Sequence, residues 1–227
     1  MLVLAFDTSS SSGSVALVRD GDIVAELSSG LVGTHAEWLM PSIAGLLDSA
    51  GAVMDTVDLF AVDTGPGAFT GLRVGAATVK GLAWALGKKV AGVSTLESLA
   101  LNLRYSAHAV CPVLDARKGE VYAAIYRFNG AWAEPLLKDS VMAPEELYAA
   151  ARDISAPVVF LGPGLKTYGR AIVENAGPAV LAPEHTWHIK ASNVAFLALK
   201  DPSAAVSPDL LTPAYLRRFV SGIKSTG

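Results

Sequence analysis

The first hundred residues read in one order: strand, strand, strand, helix, strand, helix, strand. That order restricts the fold more than any other property of the chain. "MLVLAFDTS" is a buried strand and turn, and "GSVALVRDGDIVAELS" is a pair of strands joined at "RDGD", an Asp-Gly hairpin signal. From His35 to Ala50 the residues Leu39, Ile43, Leu46, Leu47 and Ala50 recur at helical spacing, with Thr34 as N-cap and Glu37 three residues on. "VDLFAVDTG" then supplies a strand, "GLRVGAATVKGLAWALG" a helix closed by Gly87, and "KKVAGVS" another strand. After a helix from Thr95 the three-strand opening recurs: "HAVCPVLDA", a turn at Lys118-Gly119, "EVYAAIYRF", and a strand near "AWAEPLL". A helix over 144–152, the strand "APVVFLG", a turn at "GPGLKTYG", and helical stretches near 165–176 and 191–200 complete a weak internal duplication. An α/β fold follows.

Two stretches at strand ends carry the functional signal. In "DTGPGAFTGLR", residues 63 to 73, three glycines and a proline separate a strand from a helix, so the backbone approaches a phosphate, another backbone or a partner protein. Gly65 and Gly67 free the chain there, and Thr70 is the expected N-cap of a helix starting at Gly71 or Leu72. This is neither a P-loop nor a dinucleotide fingerprint, because no Gly-Lys-Ser/Thr follows and the glycine spacing differs. In "AFDTSSSSGSVAL", Asp7, Thr8 and Ser9 lead into a polar turn whose hydroxyl and N–H groups suit phosphate oxygens. An ordinary serine-rich hairpin and an ordinary structural turn account for the same two stretches.

The helices on either side are broader than one core stripe needs. Leu72, Val79, Leu82 and Leu86 form one face, while Gly71, Gly75, Ala77, Gly81 and Ala85 leave much of the remainder small and uncharged. The preceding helix, from His35, adds Trp38, Met40 and Gly45 beyond its core stripe. A protein-protein surface and a core covered on both sides both explain this pattern.

Bulk properties limit the alternatives. The 227 residues are 52% hydrophobic and 17% charged, with a mean hydropathy of +0.41, an excess that suits an apolar contact with a partner. The opening apolar run lasts six residues before Asp7 and no later run reaches the roughly 20 that a spanning helix needs, so a cytoplasmic protein without membrane attachment is expected. The net charge of −3 and scattered basic residues disfavour nucleic-acid binding by this chain alone. The single cysteine, Cys111, excludes an intrachain disulfide and reads as core. His185 and His188 form the closest histidine pair, with only Glu184 as an adjacent carboxylate, which falls short of a metal set. Asp7, Asp63 and Asp115 each end a strand, yet no Ser-His-Asp or Cys-His arrangement connects them, and Arg117 and Glu120 read as a pair at a turn.

Taken together, "AFDTSSSSGSVAL", "THAEWLMPSIAGLL", "GPGAFTGLRVG", "GVSTLESLA", "DARKGEVYAA" and "TPAYLRR" resemble the TsaB (YeaZ) family, paralogues of TsaD in tRNA threonylcarbamoyladenosine formation. The resemblance implies an actin-like, hexokinase-like ATPase (ASKHA) fold of two ribonuclease H-like subdomains, residues 1–102 completed by 208–227, and residues 103–207, with a final helix packing back on the first. Nucleotide-using relatives of that fold hold phosphates with the first hairpin turn and a later glycine loop, which here makes Asp7, Thr8, Ser9, Gly65, Gly67 and Thr70 the candidate contacts. The catalytic paralogue has a His-x-Glu-x-His metal motif where this chain has Thr95, Glu97 and Leu99. Leucine supplies no donor and a threonine hydroxyl is a poor ligand for a transition metal. The resemblance therefore implies a noncatalytic subunit, with no catalytic residue, no metal and no required cofactor, and with ATP or ADP at the partner interface. It implies a heterodimer with TsaD through His35, Trp38, Leu39, Ser42, Leu72, Arg73, Val74, Gly75, Ala77, Thr78 and Gly81, attachment of TsaE, a homodimer in isolation, and tRNA contact only through the complex. An independent ATP-binding or glycoprotease-like enzyme is the alternative.

Overall fold

The computed structural model describes residues 1–30, 33–130 and 132–216. Two five-stranded sheets repeat one topology. In the first, β1 (Leu2–Asp7), β2 (Ser12–Arg19) and β3 (Asp22–Gly30) form an antiparallel meander, and β4 (Leu59–Gly65) and β5 (Lys89–Ser94) run parallel to β1, in the order β3-β2-β1-β4-β5. In the second, β6 (Ala109–Arg117), β7 (Glu120–Asn129) and β8 (Trp132–Met142) form the meander, with β9 (Val158–Leu161) and β10 (Ala179–Leu181) parallel to β6. The duplication read from the sequence thus extends to the order of the strands, and β10 is a three-residue strand that the apolar pattern did not mark.

Helices cover both faces of both sheets. On one side of the first sheet lie α1 (His35–Ser49) and α2 (Phe69–Ala85), on the outer side of the second lie α4 (Pro144–Arg152) and α5 (Leu165–Asn175), and between the sheets lie α3 (Thr95–Ala100) and α6 (Ala191–Lys200). Strand alternation sets this layering. Leu2, Leu4 and Phe6 of β1 face Leu39, Ile43 and Val79 of α1 and α2, while Val3 and Ala5 face the middle layer. The middle layer is rich in alanine, with Ala191, Ala195 and Ala198 of α6 packed among Ala16, Ala61 and Ala91 and also among Val110, Leu114 and Ala124 of the second sheet. One core therefore joins the two halves.

The chain returns to the first sheet near its end. Val90 and Val206 exchange backbone hydrogen bonds of 2.9 Å, Leu211 enters the core under α2, and the Ala214 amide donates to the Thr64 carbonyl at 2.7 Å. Of the 208–227 segment expected to carry the final helix, residues 208–216 show only a short 3-10 turn over Pro208–Leu210, and residues 217–227 lie outside the described residues.

Candidate functional site

The glycines after β4 answer a close approach by another backbone. At Gly67 an added Cβ would stand 2.4 Å from the Ser9 carbonyl oxygen, and at Gly71 it would stand 1.9 Å from the Thr8 carbonyl oxygen. No larger residue fits without moving the turn. The two segments are tied as well as close: the Ala68 amide donates to the Ser9 carbonyl at 2.7 Å, and the Thr8 hydroxyl donates to the Gly71 carbonyl at 2.8 Å. Gly65, with φ of 122°, precedes a cis bond to Pro66 and lies against the Ala214 carbonyl. The hairpin after β1 is drawn in from α1 too, where the His35 Nε2–H donates to the Ser10 carbonyl at 2.9 Å.

These contacts locate the six candidate phosphate residues. Asp7, Thr8 and Ser9 are buried, and the Ser9 amide and hydroxyl both donate to Asp7 Oδ1. An added Cβ would meet the Ala214 carbonyl at Gly65 and the Ser9 carbonyl at Gly67, so both glycines pack against protein backbone. Thr70 is not the N-cap. The helix starts at Phe69 with Ala68 as its extended cap, and no side chain caps it, because the Ala68 amide already bonds to Ser9 and fixes the chain two residues earlier than the Thr signal predicts. Thr70 lies exposed in the first turn.

A second Gly-Pro-Gly turn stands in the equivalent place of the second half. Gly162, Pro163 and Gly164 connect β9 to α5, an added Cβ at Gly162 would stand 2.5 Å from the Val113 carbonyl of β6, and the Gly164 amide donates to that carbonyl at 3.0 Å. The match of "GPGAFTG" to "GPGLKTYG" was available in the sequence as a repeat, although only a turn was read there. Between the two turns opens a cleft of 980 Å³, lined from the first half by Ser9–Ser11 and Pro66–Phe69 and from the second by Asp115–Lys118, Pro163, Lys166 and Thr167. The β6–β7 hairpin tip in this cleft places Arg117 and Lys118 at positive φ (64° and 55°), with the Arg117 amide donating to Asp115 Oδ1 at 2.7 Å. Arg117 pairs with Asp115 at 3.3 Å and stands opposite Glu120 in the strand register.

The proposed partner face divides by burial. Leu39, Ser42, Leu72 and Gly75 lie in the chain's own interior, where Leu39 and Leu72 fill the core and Gly75 admits the Thr8 hydroxyl. His35 and Trp38 are half-buried, the Trp38 ring resting on Gly13, where an added Cβ would come within 2.7 Å of it. Val74 and Thr78 are half-buried, and Arg73, Ala77 and Gly81 are exposed along one face of α2. That face continues to Trp84, 83% exposed, and α1 presents Met40, 44% exposed. Trp84 was absent from the sequence reading, though it stands three residues after Gly81 on the same helical face. The Arg73 guanidinium stacks 3.8 Å from the centre of the Phe69 ring, which also meets Tyr215.

The stretch aligned with a metal motif has no donor set. Thr95 and Leu99 are fully buried, and Leu99 packs in the core between the sheets. Glu97, whose carboxyl burial pushes up while Lys200 opposes the shift, has its oxygen 3.6 Å from the Lys200 ammonium. The residues present do not fit a transition metal. Nearby, Asp139 of β8 accepts hydrogen bonds from the Ser94 and Tyr126 hydroxyls and pins the second sheet to α3. Burial, then the Asp139 charge, pushes the Tyr126 hydroxyl far up and keeps it a donor. His185 and His188 belong to no cluster of three or more metal-ligating side chains among the described residues. No helix among the described residues is long and apolar enough to cross a membrane.

Residues 25–204 match the family model of TsaD, tRNA N6-adenosine threonylcarbamoyltransferase. The chain is 31% identical to the tRNA threonylcarbamoyladenosine biosynthesis protein TsaB of Bacillus subtilis over 218 residues, 96% of this chain and 94% of that one. YeaZ from Pseudomonas aeruginosa superposes with a TM-score of 0.81 at 31% identity, covering 95% of this chain and 99% of that one. Component A of the Acidaminococcus fermentans (R)-2-hydroxyglutaryl-CoA dehydratase shares the fold alone, with a TM-score of 0.53 at 14% identity over 89% of this chain and 99% of that one. Two meander-plus-parallel sheets, each with its strand-to-helix glycine turn at a central cleft, make an actin-like ATPase fold, and the chain belongs to the TsaB (YeaZ) family.

Proposed function

We propose that this chain is the noncatalytic scaffold and activator of a threonylcarbamoyl transferase complex. It dimerises with TsaD and recruits TsaE, and TsaD transfers the threonylcarbamoyl group to N6 of adenosine 37 in tRNAs reading codons that begin with A. The observation that carries the reading is the Thr95, Glu97, Leu99 stretch: two positions are sealed in the core and the third is neutralised by Lys200. The chain needs no cofactor of its own, and ATP or ADP binds at the partner interface. It acts in the cytoplasm and meets tRNA through the complex.

The docking face is the exposed side of α2, with Arg73, Ala77, Gly81 and Trp84, together with the exposed side of α1 that carries Met40. Small residues let a partner helix come close and Trp84 supplies an aromatic anchor. Without TsaD the same face pairs two copies. Exchanging Ala77 for Arg places a charge on that face without entering the core. We expect Ala77→Arg to fold normally and to bind TsaD at least tenfold more weakly; unaltered affinity in the folded variant contradicts the docking face. Calorimetric titration of the isolated chain with ATP and magnesium should give no heat at millimolar ligand, whereas saturable heat favours the alternative of an independent ATP-binding protein.

A further inference from the structure

Asp7 and Asp63 end neighbouring parallel strands. Phe6 of β1 pairs in register with Val62 of β4, so the two aspartates stand side by side at the strand ends. Both are buried, 0% and 3% exposed. Each uses one oxygen on a serine: Asp7 Oδ1 accepts from the Ser9 amide and hydroxyl, and Asp63 Oδ1 accepts from the Ser98 hydroxyl at 2.7 Å. Oδ2 of each is buried with no hydrogen-bond partner among the described residues, on side chains that neighbouring strand ends place next to one another.

Two ionised carboxylates in this place would repel each other out of water with a lone oxygen on each side. One proton converts that contact into a charge-assisted O–H···O⁻ bond. We propose that Asp7 and Asp63 hold a single proton between them at neutral pH, as an acid–carboxylate pair that clamps the ends of β1 and β4 where the serine hairpin and the glycine turn meet.

The surroundings agree with one retained negative charge. Burial pushes both carboxyls up, and the Asp7 charge pushes Asp63 up further. From α1, the His35 imidazole acts on Asp7 in the opposite sense. From α3, Asp63 meets the neutral Ser98, while the charged pair Glu97 and Lys200 of α3 and α6 engage one another. α6 turns the Asn193 amide to the Ser98 carbonyl, and β2 presents Ser14, whose hydroxyl donates to the Ile189 carbonyl. α2 meets this corner with Gly71 and Gly75 against Thr8.

The test is the infrared spectrum of the full chain at neutral pH, read beside that of Asp63→Asn, whose amide can donate to Asp7 in place of the shared proton. The expected result is one buried carboxylic-acid carbonyl band that Asp63→Asn abolishes. A spectrum with no carboxylic-acid band, or a band that survives Asp63→Asn, overturns the proposal. Carbon-13 titration of the aspartate carboxyls in the unaltered chain needs no variant: one carboxyl of the pair should still be protonated at neutral pH, and finding both ionised there overturns it equally.

Discussion

Single atoms decide which glycines this chain requires. Gly71 and Gly81 lie ten residues apart in one helix, yet an added methyl meets the Thr8 carbonyl oxygen at 1.9 Å in the first case and nothing within 4 Å in the second. Gly71→Ala should lose about 1–3 kcal/mol or more, since the obstacle is backbone that cannot swing aside. Gly81→Ala should gain about 0.5–1 kcal/mol from the lower entropy of the unfolded helix segment. Urea denaturation of both variants checks the pair, and equal effects would contradict the packing of the glycine turn on the serine hairpin. The aspartates at the same corner govern a pH dependence. Their folded-state proton affinity is raised by burial, so the stability they contribute is complete below the ordinary carboxyl range and is lost as pH rises toward the shifted value of the pair. Unfolding midpoints should therefore fall with rising pH above the ordinary carboxyl range more in the unaltered chain than in Asp63→Asn.

Helix starts show how local chemistry competes with tertiary contact. At α1 the capping box is complete: the Thr34 hydroxyl accepts from the Glu37 amide, and the Glu37 carboxylate accepts from the Thr34 amide at 3.2 Å. Thr34→Ala should cost about 1 kcal/mol. Thr70 carries the same sequence signal but caps nothing, so Thr70→Ala should change stability by less than about 0.5 kcal/mol. Thermal unfolding of the two alanine variants separates a working cap from an apparent one. Strand order, helix order and the Thr34 cap were legible because each rests on residues close in the chain. The start of α2 was not, because it is set by the Ala68 amide reaching Ser9, 59 positions away in sequence. The same holds for the candidate site: its glycines were legible as a close approach, but which of three objects they approach depended on how β1 and β4 are paired. The helical pattern placed Leu39 and Leu72 on the core stripes, whereas the enclosure of Gly75 was not legible, because it comes from the Thr8 hydroxyl of a segment distant in sequence.

Across the whole molecule, much of the apolar excess lies inside. β1 is buried along all six residues, and α3 and α6 serve two sheets at once, so strands read as continuous hydrophobic runs. The two halves consequently depend on each other. A fragment of residues 1–102 leaves Val3, Ala5, Ala16, Ala61 and Leu96 without α6 and the second sheet, and it should show no cooperative unfolding transition by circular dichroism. The apolar surface that remains exposed on α1 and α2, with Trp84 at its end, is the part assigned to a partner. The central claim is that this chain is required by a transferase without performing the transfer. Its most direct test is threonylcarbamoylation of an unmodified tRNA by purified TsaC, TsaD and TsaE with ATP, threonine and bicarbonate, measured with and without this protein. Transfer that requires the chain, with none from the chain alone, is the expected result; full transfer in its absence contradicts the account.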